Sequence, residues 1–235
     1  AVHVSHSGCQ GFCQMGPLVT IEPDGVMYAR VQVQDAEEIV DHMVDGEGPV
    51  ERLLYHEPGK AVTCRGQAEI PCYQRQTRRV LGLCGRIDPE DIGEYCAHDG
   101  YKAARQAWRE LSPAEVCATV IEAGLRGRGG GGFTTGRKWR LTLDQPGEHK
   151  IVVCNGDEGD PGAFMDRSVM EGNPHAVVEG MLIAARAVGA DRGVVYVRAE
   201  YPLAVARMQK AVADAAAEGG VDRGLQSNCA TGKRD

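Results

Sequence analysis

Lys150-Ile151-Val152-Val153-Cys154 runs straight into Asn155-Gly156-Asp157-Glu158-Gly159-Asp160-Pro161-Gly162, an apolar run breaking into an acidic, glycine-punctuated loop. A short Val-rich run bounded by such turn residues reads as a buried strand. Beyond it, Asn173-Pro174 starts a strong helix in which Val177, Val178, Met181, Leu182, Ala185 and Val188 form one apolar stripe, with Gly189 as its stop. Gly193-Val194-Val195-Tyr196-Val197 is the next strand, and Pro202 to Ala217 the next helix. Strand–helix–strand–helix with Val-rich strands predicts an α/β fold with a parallel, helix-covered sheet. Ligands of open α/β sheets bind just beyond the C-terminal ends of the strands, so the loop 155–160 is a candidate site. Its carboxylates can accept hydrogen bonds from ribose hydroxyls or from flavin and nicotinamide amides. A Mg²⁺ or Ca²⁺ site is the competing use, although the glycines and proline do not follow the EF-hand pattern. A plain solvated turn is an equally ordinary reading of the loop alone.

Ahead of this strand, Ser112-Pro113-Ala114-Glu115 is a capping-box signature opening a helix through Ala123, with Gly124 as its end. A glycine-rich loop follows: Gly127-Arg128-Gly129-Gly130-Gly131-Gly132-Phe133-Thr134-Thr135-Gly136-Arg137-Lys138-Trp139. Consecutive glycines let a backbone approach a ligand and turn several N–H groups toward one anion. Arg126, Arg128, Arg137 and Lys138 add positive charge, and Phe133 could stack on a flat ring. A flexible linker is the bland alternative, but the loop lacks the serines linkers carry and lies close before a strand. The Lys-Ser/Thr ending of a P-loop is absent. The dinucleotide fingerprint follows a strand and opens a helix, whereas this loop follows a helix. One basic loop and one acidic loop on a single sheet make the division of labour that a flavin or dinucleotide site needs.

The earlier sequence reads as two further blocks. In the first, Pro17 to Pro23 is strand-like, Asp24-Gly25 a hairpin turn, and Val26 to Val31 a second strand. Asp35 then caps a helix through Val44, with Ile39, Val40 and Met43 on one face. This block is too small to bury a core alone. The second, about 55–112, is polar and irregular, with helices opening at Asp88-Pro89-Glu90-Asp91 and running from Tyr101 to Leu111. Residues 219–235 read as polar coil. Sequence is expected to be missing at both ends.

The chain's net charge of −7 argues against non-specific nucleic-acid binding, which needs a basic face. No apolar run approaches a membrane span and no signal peptide opens the chain, so a cytoplasmic location is expected. Nine cysteines fit no secreted disulfide framework. Cys64, Cys72, Cys84, Cys96, Cys117 and Cys229 read as small buried hydrophobes. Cys9-Gln10-Gly11-Phe12-Cys13 differs: two thiolates one turn apart make half of a metal or iron–sulfur site, or a structural pair.

Leu125 through Trp139, then Val153 through Phe164, then Asn173-Pro174-His175 together resemble the FMN- and NADH-binding subunit of respiratory complex I. More closely, the chain resembles the beta subunit of electron-bifurcating FeFe hydrogenases and the diaphorase subunits of NAD-linked hydrogenases and formate dehydrogenases. Cys84 to Glu90 and Gly100 to Ala103 are similar to the connector of the hydrogenase type. Over residues 1–217 the resemblance implies a partial Rossmann-like parallel-sheet flavin domain (113–218) behind a connector (55–112). Ahead of both, residues 1–54 would be the C-terminal half of a thioredoxin-like 2Fe–2S ferredoxin domain, and 219–235 an irregular tail off the family pattern. It implies a flavoprotein passing electrons from NADH through FMN to iron–sulfur clusters, or the reverse, with NAD as coenzyme. No catalytic acid or base is implied. Gly127, Arg128, Gly129, Lys138, Asn155 and Asp157 would hold FMN; Phe133, Glu158 and Asp160 would face NADH. Cys9 and Cys13 would be two of four 2Fe–2S ligands, with a 4Fe–4S centre expected in missing C-terminal sequence. Partners would be other subunits of a hydrogenase, formate dehydrogenase or complex I-like assembly, with no membrane insertion. Gly131 and Thr134 stand where the family has Ala and Pro, and Leu141 where relatives often have an aromatic, implying a looser loop and weaker stacking. A non-catalytic structural or docking piece, or a degenerate gene product, is the rival reading, since the other cluster ligands are absent.

Overall fold

The computed structural model describes residues 2–218 and, as backbone alone, 226–232. Its contacts divide the chain into two units, Gln10–Arg79 and Ala1–Cys9 with Val80–Asp235. The segment read as a connector is shared between them, with 55–79 in the smaller unit and 80–112 in the larger.

In the smaller unit, β1 (Val19–Ile21) and β2 (Val26–Tyr28) pair antiparallel around Gly25, whose φ of +66° is the left-handed turn that glycine permits. Every residue of β2 is buried because its two faces serve two clusters. Val26 and Tyr28 face Ile39, Val50, Leu53 and Leu54; Met27 faces Cys64, Ile70 and Tyr73. Helix α1 (Ala36–Asp45) buries Ile39 alone; Val40 and Met43, expected beside it, are 41% and 38% exposed. So small a unit offers the helix one groove. Asp35 does not cap this helix with its side chain. Its carboxylate instead accepts from the Gln32 N–H at 2.7 Å and from Arg52 at 2.9 Å. A two-stranded pair, β3 (Tyr55–His56) with β4 (Thr63–Cys64), and the short α2 (Pro71–Gln74) complete the unit.

The larger unit begins with α3 (Ile92–Ala97), opening later than the sequence suggests because Asp91 is the residue that accepts from Gly93 and Glu94 N–H. Then come α4 (Lys102–Glu110) and α5 (Pro113–Glu122), the latter with the Ser112/Glu115 capping box formed in both directions. A helix the sequence did not announce, α6 (Thr135–Leu143), follows the glycine loop. Next are β5 (Ile151–Gly156), α7 (Met165–Gly172), α8 (Pro174–Val188), β6 (Arg192–Arg198), α9 (Pro202–Ala217) and β7 (Gln226–Gly232). Asn173 caps α8 by accepting from Ala176 N–H, and Gly189 ends it with φ +70°. Part of the tail read as coil is therefore a strand, β7, whose backbone pairs in parallel with β6.

The sheet order is β5-β6-β7, all parallel. Strands advancing in one direction through right-handed crossovers place every connecting helix on the same face. There Val195 and Val197 pack with Val178 and Leu182 of α8 and with Ala204, Met208 and Ala211 of α9. The other face is bare: Ile151 is 56% and Val153 59% exposed. The sheet is thus covered on one side among the described residues, and β5 is not the buried strand its sequence suggests. Buried Glu179 of α8 ties the connector helices down, accepting from Tyr101 N–H (2.9 Å), Ala104 N–H (3.1 Å) and Tyr95 OH (2.6 Å). This side chain supplies the partners that the first turn of α4 lacks.

Candidate functional site

The glycine loop is a closed turn. Gly127 N–H donates to Phe133 O (2.8 Å), Thr135 N–H to Leu125 O (2.8 Å), and Arg126 bridges to Thr134. The Arg126 guanidinium donates across the turn to Gly132 O at 2.6 Å, so its charge serves the loop itself. Gly130 (φ +98°) and Gly132 (φ +59°) hold left-handed backbone conformations that glycine adopts without strain, and a Cβ at Gly129, Gly130 or Gly131 would meet open space. Among the described residues, the N–H groups of Arg128 to Gly131 meet no hydrogen-bond partner. The loop ends at the N-terminus of α6, where backbone dipoles favour an anion. Exposed donors, glycines that admit close approach and a helix start together suit a phosphate, so the loop fits the one FMN carries.

Helix α6 is fixed at both ends. Its Leu143 carbonyl accepts from Lys150 Nζ at 2.9 Å, at the foot of β5. Trp139 and Leu143 pack with Val152 against the buried Ala185 and Val188 of α8. At its other end Gly136 lies against α5: a Cβ there would come within 2.5 Å of Ile121 N and 2.9 Å of Cys117 O. Gly136 is a positioning residue the sequence reading missed. Alongside, Phe133, Lys138, Leu141, Thr142 and Gln145 line an open cavity of about 540 Å³. Phe133, expected to face NADH, and Lys138, expected to hold FMN, thus share one cavity; the other three lining residues lie on the unannounced helix or just past its end. The i, i+3, i+4, i+7 spacing of Lys138, Leu141, Thr142 and Gln145 was the signal for that shared face.

The acidic loop leaves the C-terminal end of β5, as expected of a ligand-binding loop. None of Asn155, Asp157, Glu158 and Asp160 is among the residues lining the Phe133 cavity. Asn155 Oδ1 accepts from Asp157 N–H at 3.0 Å, the local turn that aspartate-like side chains make. Asp157 is exposed and stands 3.8 Å from the Arg198 guanidinium; Asp160 is exposed at the loop's tip. Glu158 is different. It is 8% exposed, and its carboxylate accepts from the N–H groups of Met165 (2.6 Å), Asp166 (3.2 Å) and Arg167 (3.2 Å), capping α7. Its carbonyl accepts from Arg198 Nη1 at 2.5 Å. The Tyr201 ring beside it lies 5.3 Å from the Arg167 guanidinium and 5.7 Å from that of Arg198. Burial raises the pKa of Asp166, and the negative charge of Glu158 adds to that shift.

The cysteines sort differently from their sequence reading. Cys64, Cys84 and Cys117 are buried as expected, Cys72 and Cys96 are exposed, and the Cys229 side chain lies outside the described residues. Cys9 is half-buried in the larger unit; Cys13 is exposed and opens a 3-10 turn in the smaller. Among the described residues no three His, Cys, Asp or Glu side chains are grouped as a metal site. Also among them, no helix is long and apolar enough to cross a membrane.

A family model described as the Nuo51 FMN-binding domain matches residues 120–233, a span that includes the tail expected to be off pattern. The NADP-reducing hydrogenase subunit HndC of Solidesulfovibrio fructosivorans is 52% identical over 60% of this chain and 29% of its own length. An NADH-quinone oxidoreductase subunit of Rhizobium meliloti is 44% identical over 61% of this chain and 35% of its own. The NAD-reducing hydrogenase HoxS subunit alpha of Cupriavidus necator is 34% identical over 82% and 30%. In three dimensions a crystal structure of an air-oxidised NAD⁺-reducing NiFe hydrogenase covers 95% of this chain, and 34% of the hydrogenase chain, at a TM-score of 0.53 and 25% identity. The chain therefore spans about a third of the length of the relatives it matches. Residues 120–233 match the family model of the Nuo51 FMN-binding domain, and the chain is similar to subunits of NADH-quinone oxidoreductases and of NAD-reducing hydrogenases.

Proposed function

We propose that this chain is part of an NADH-oxidising or NAD-reducing flavoprotein that passes electrons between FMN and iron–sulfur clusters in a multi-subunit assembly. The observation that carries the reading is the glycine turn, with its unpaired N–H donors at the start of α6 and the Phe133 cavity alongside. Gly127, Arg128 and Gly129 would hold the FMN phosphate, and Asn155 and Asp157, at the strand end, would meet its polar edge. Bound FMN would supply the exchange between two-electron hydride transfer and single-electron transfer; the protein's part is to hold and orient it.

The chain's own residues have narrower tasks. The left-handed glycines aim the loop's donors; Arg128 adds charge; Phe133 offers a ring face at the cavity mouth; Asp160 presents a carboxylate from the exposed tip. Glu158, expected to face the coenzyme, holds the start of α7 and thereby the shape of the loop between them. No side chain is assigned a proton-transfer role. Cys9 and Cys13 remain proposed cluster ligands by resemblance, and no step is derived through them. The rim of a partial Rossmann-like sheet would place both loops on one crevice.

Titrating the purified chain with FMN tests this reading through quenching of flavin fluorescence. Saturable quenching that weakens when Arg128 is replaced by Ala is expected. A folded chain that leaves flavin fluorescence untouched would sink it.

A further inference from the structure

We propose that Arg198 is a positioning residue of the flavin site: its guanidinium fixes the acidic loop at the end of β5 and offsets the charge of Asp157. It thereby sets both how tightly flavin is held and how readily the bound flavin takes up electrons. The inference rests on the reading of this loop as part of the FMN site, and adds to it a residue from outside both binding loops. It starts from strand register. Gly156 and Val197 are the last partners of the parallel pair β5–β6, so Asp157 and Arg198 follow them side by side, where ligands of open α/β sheets bind. One guanidinium braces the loop and the turn after β6. Its Nη1 donates to Glu158 O at 2.5 Å, its Nη2 to Glu200 Oε1 at 3.0 Å, and its Nε stands 3.8 Å from Asp157 Oδ1. The Tyr201 ring lies 5.7 Å from the guanidinium carbon, and Tyr201 OH donates to the same Glu158 carbonyl at 3.5 Å.

The balance of charge gives this brace its consequence. Asp157, Glu158 and Asp160 crowd three carboxylates onto the loop, while the flavin phosphate is an anion and reduction adds electron density to the ring. The Glu158 carboxylate is committed to the first N–H groups of α7. Among the described residues, the ion pair of Asp157 is with Arg198 alone. The Arg198 side chain is 22% exposed against 43% for Asp157, so the cation is held within the protein and the carboxylate is presented. With the cation removed, Asp157 would face the flavin uncompensated, and more so the reduced form than the oxidised one.

Calorimetric titrations of the full chain with oxidised FMN and, without air, with dithionite-reduced FMN test this without turnover. The ratio of the two affinities gives the shift in midpoint potential on binding. Arg198→Met is expected to weaken binding of oxidised FMN at least tenfold and of reduced FMN further, which lowers the potential of the bound flavin. Hydrogen exchange in this variant should quicken across residues 157–163 while α8 and α9 keep their protection. Arg198→Lys returns the charge but cannot bridge Glu158 O and Glu200 at once, so it should restore the potential and only part of the affinity. Adding Asp157→Asn to Arg198→Met should raise the potential again, because the uncompensated carboxylate is gone. An Arg198→Met chain that matches the wild type in either affinity or potential would overturn the assignment and leave the flavin reading standing. Protection lost throughout α8 and α9 would also overturn it, making Arg198 a support of the whole sheet. A wild-type chain that is folded by circular dichroism and binds no FMN would overturn the flavin reading and this inference with it.

Discussion

Replacing Gly136 by Ala tests how the site is held. A Cβ at this position would stand 2.5 Å from Ile121 N, 2.7 Å from Ile121 Cγ1 and 2.9 Å from Cys117 O, where ordinary contact begins near 3.4 Å. Two of the three atoms are α5 backbone, so the strain cannot be relieved by a rotamer; α6 must move away from α5 by about 1 Å. Overpacking of this kind costs about 1–3 kcal/mol, and rigid backbone neighbours place it in the upper part of that range. Alanine returns about 1 kcal/mol in helix propensity, leaving a net loss of about 1–2 kcal/mol. The control is Gly180→Ala on α8, where a Cβ meets nothing within 4 Å and only the propensity gain of about 1 kcal/mol remains. Urea unfolding followed by circular dichroism should move the two midpoints in opposite directions. The displaced α6 should also weaken FMN binding in Gly136→Ala and leave it unchanged in Gly180→Ala. If both variants gain stability, the α5–α6 approach is not as described and the account of how the cavity is positioned fails.

Glu158→Gln keeps the side chain's length but removes the charge that accepts three N–H groups, and should cost about 1–2 kcal/mol in thermal unfolding; an unchanged Tm would deny it the capping role. His175 is buried at 1% exposure, with Tyr101 OH at 2.8 Å from Nδ1, and burial lowers its pKa below the usual 6.5. The unfolded chain therefore takes up this proton first, so the stability His175 contributes is intact above pH 6.5 and falls as the pH drops below it, by at most about 1.4 kcal/mol per pH unit. His175→Gln should flatten that limb of the stability profile, and an identical slope in the variant would contradict the assignment. Burial, helped by Asp166, pushes the Cys154 thiol up to about 11, so iodoacetamide at pH 8.5 should label exposed Cys72 and Cys96 well before Cys154; early labelling of Cys154, read by peptide mass mapping, would refute this.

The elements legible in the sequence were those whose signals are local. Helix α9 matches its expected bounds, α8 starts at the Asn173-Pro174 cap and stops at Gly189, and the Ser112/Glu115 box forms as written. Helix α6 was hidden because Gly136 reads as one more loop glycine, although its smallness serves the contact with α5. The exposure of β5 was equally hidden, since an Ile-Val-Val run carries no sign of which face receives helices. That follows from strand order, which is a property of the whole sheet. The hydrogen bonds of Glu158 to the first N–H groups of α7 were not legible, because those groups lie across an intervening turn. The polar composition of 226–232 likewise gave no hint of β7, whose backbone pairing needs only N–H and C=O groups. The glycine loop with Phe133 and Lys138 was visible as a motif and Leu141 as a departure from the family pattern, whereas Thr142 and Gln145 joined the cavity lining only once a helix ran beneath them.

Among the described residues, the one-directional advance of β5, β6 and β7 leaves one side of the sheet wet, with Ile151, Val153 and Tyr196 turned to solvent. Water at such a side behaves as it does beside oil. In handling, this polypeptide should be sticky: it should light up hydrophobic dyes while fully folded, adhere to plastic and phenyl resins, and grow turbid when warmed. Mild cooling or a low concentration of non-ionic detergent, neither of which touches the helices behind the strands, should keep it dispersed.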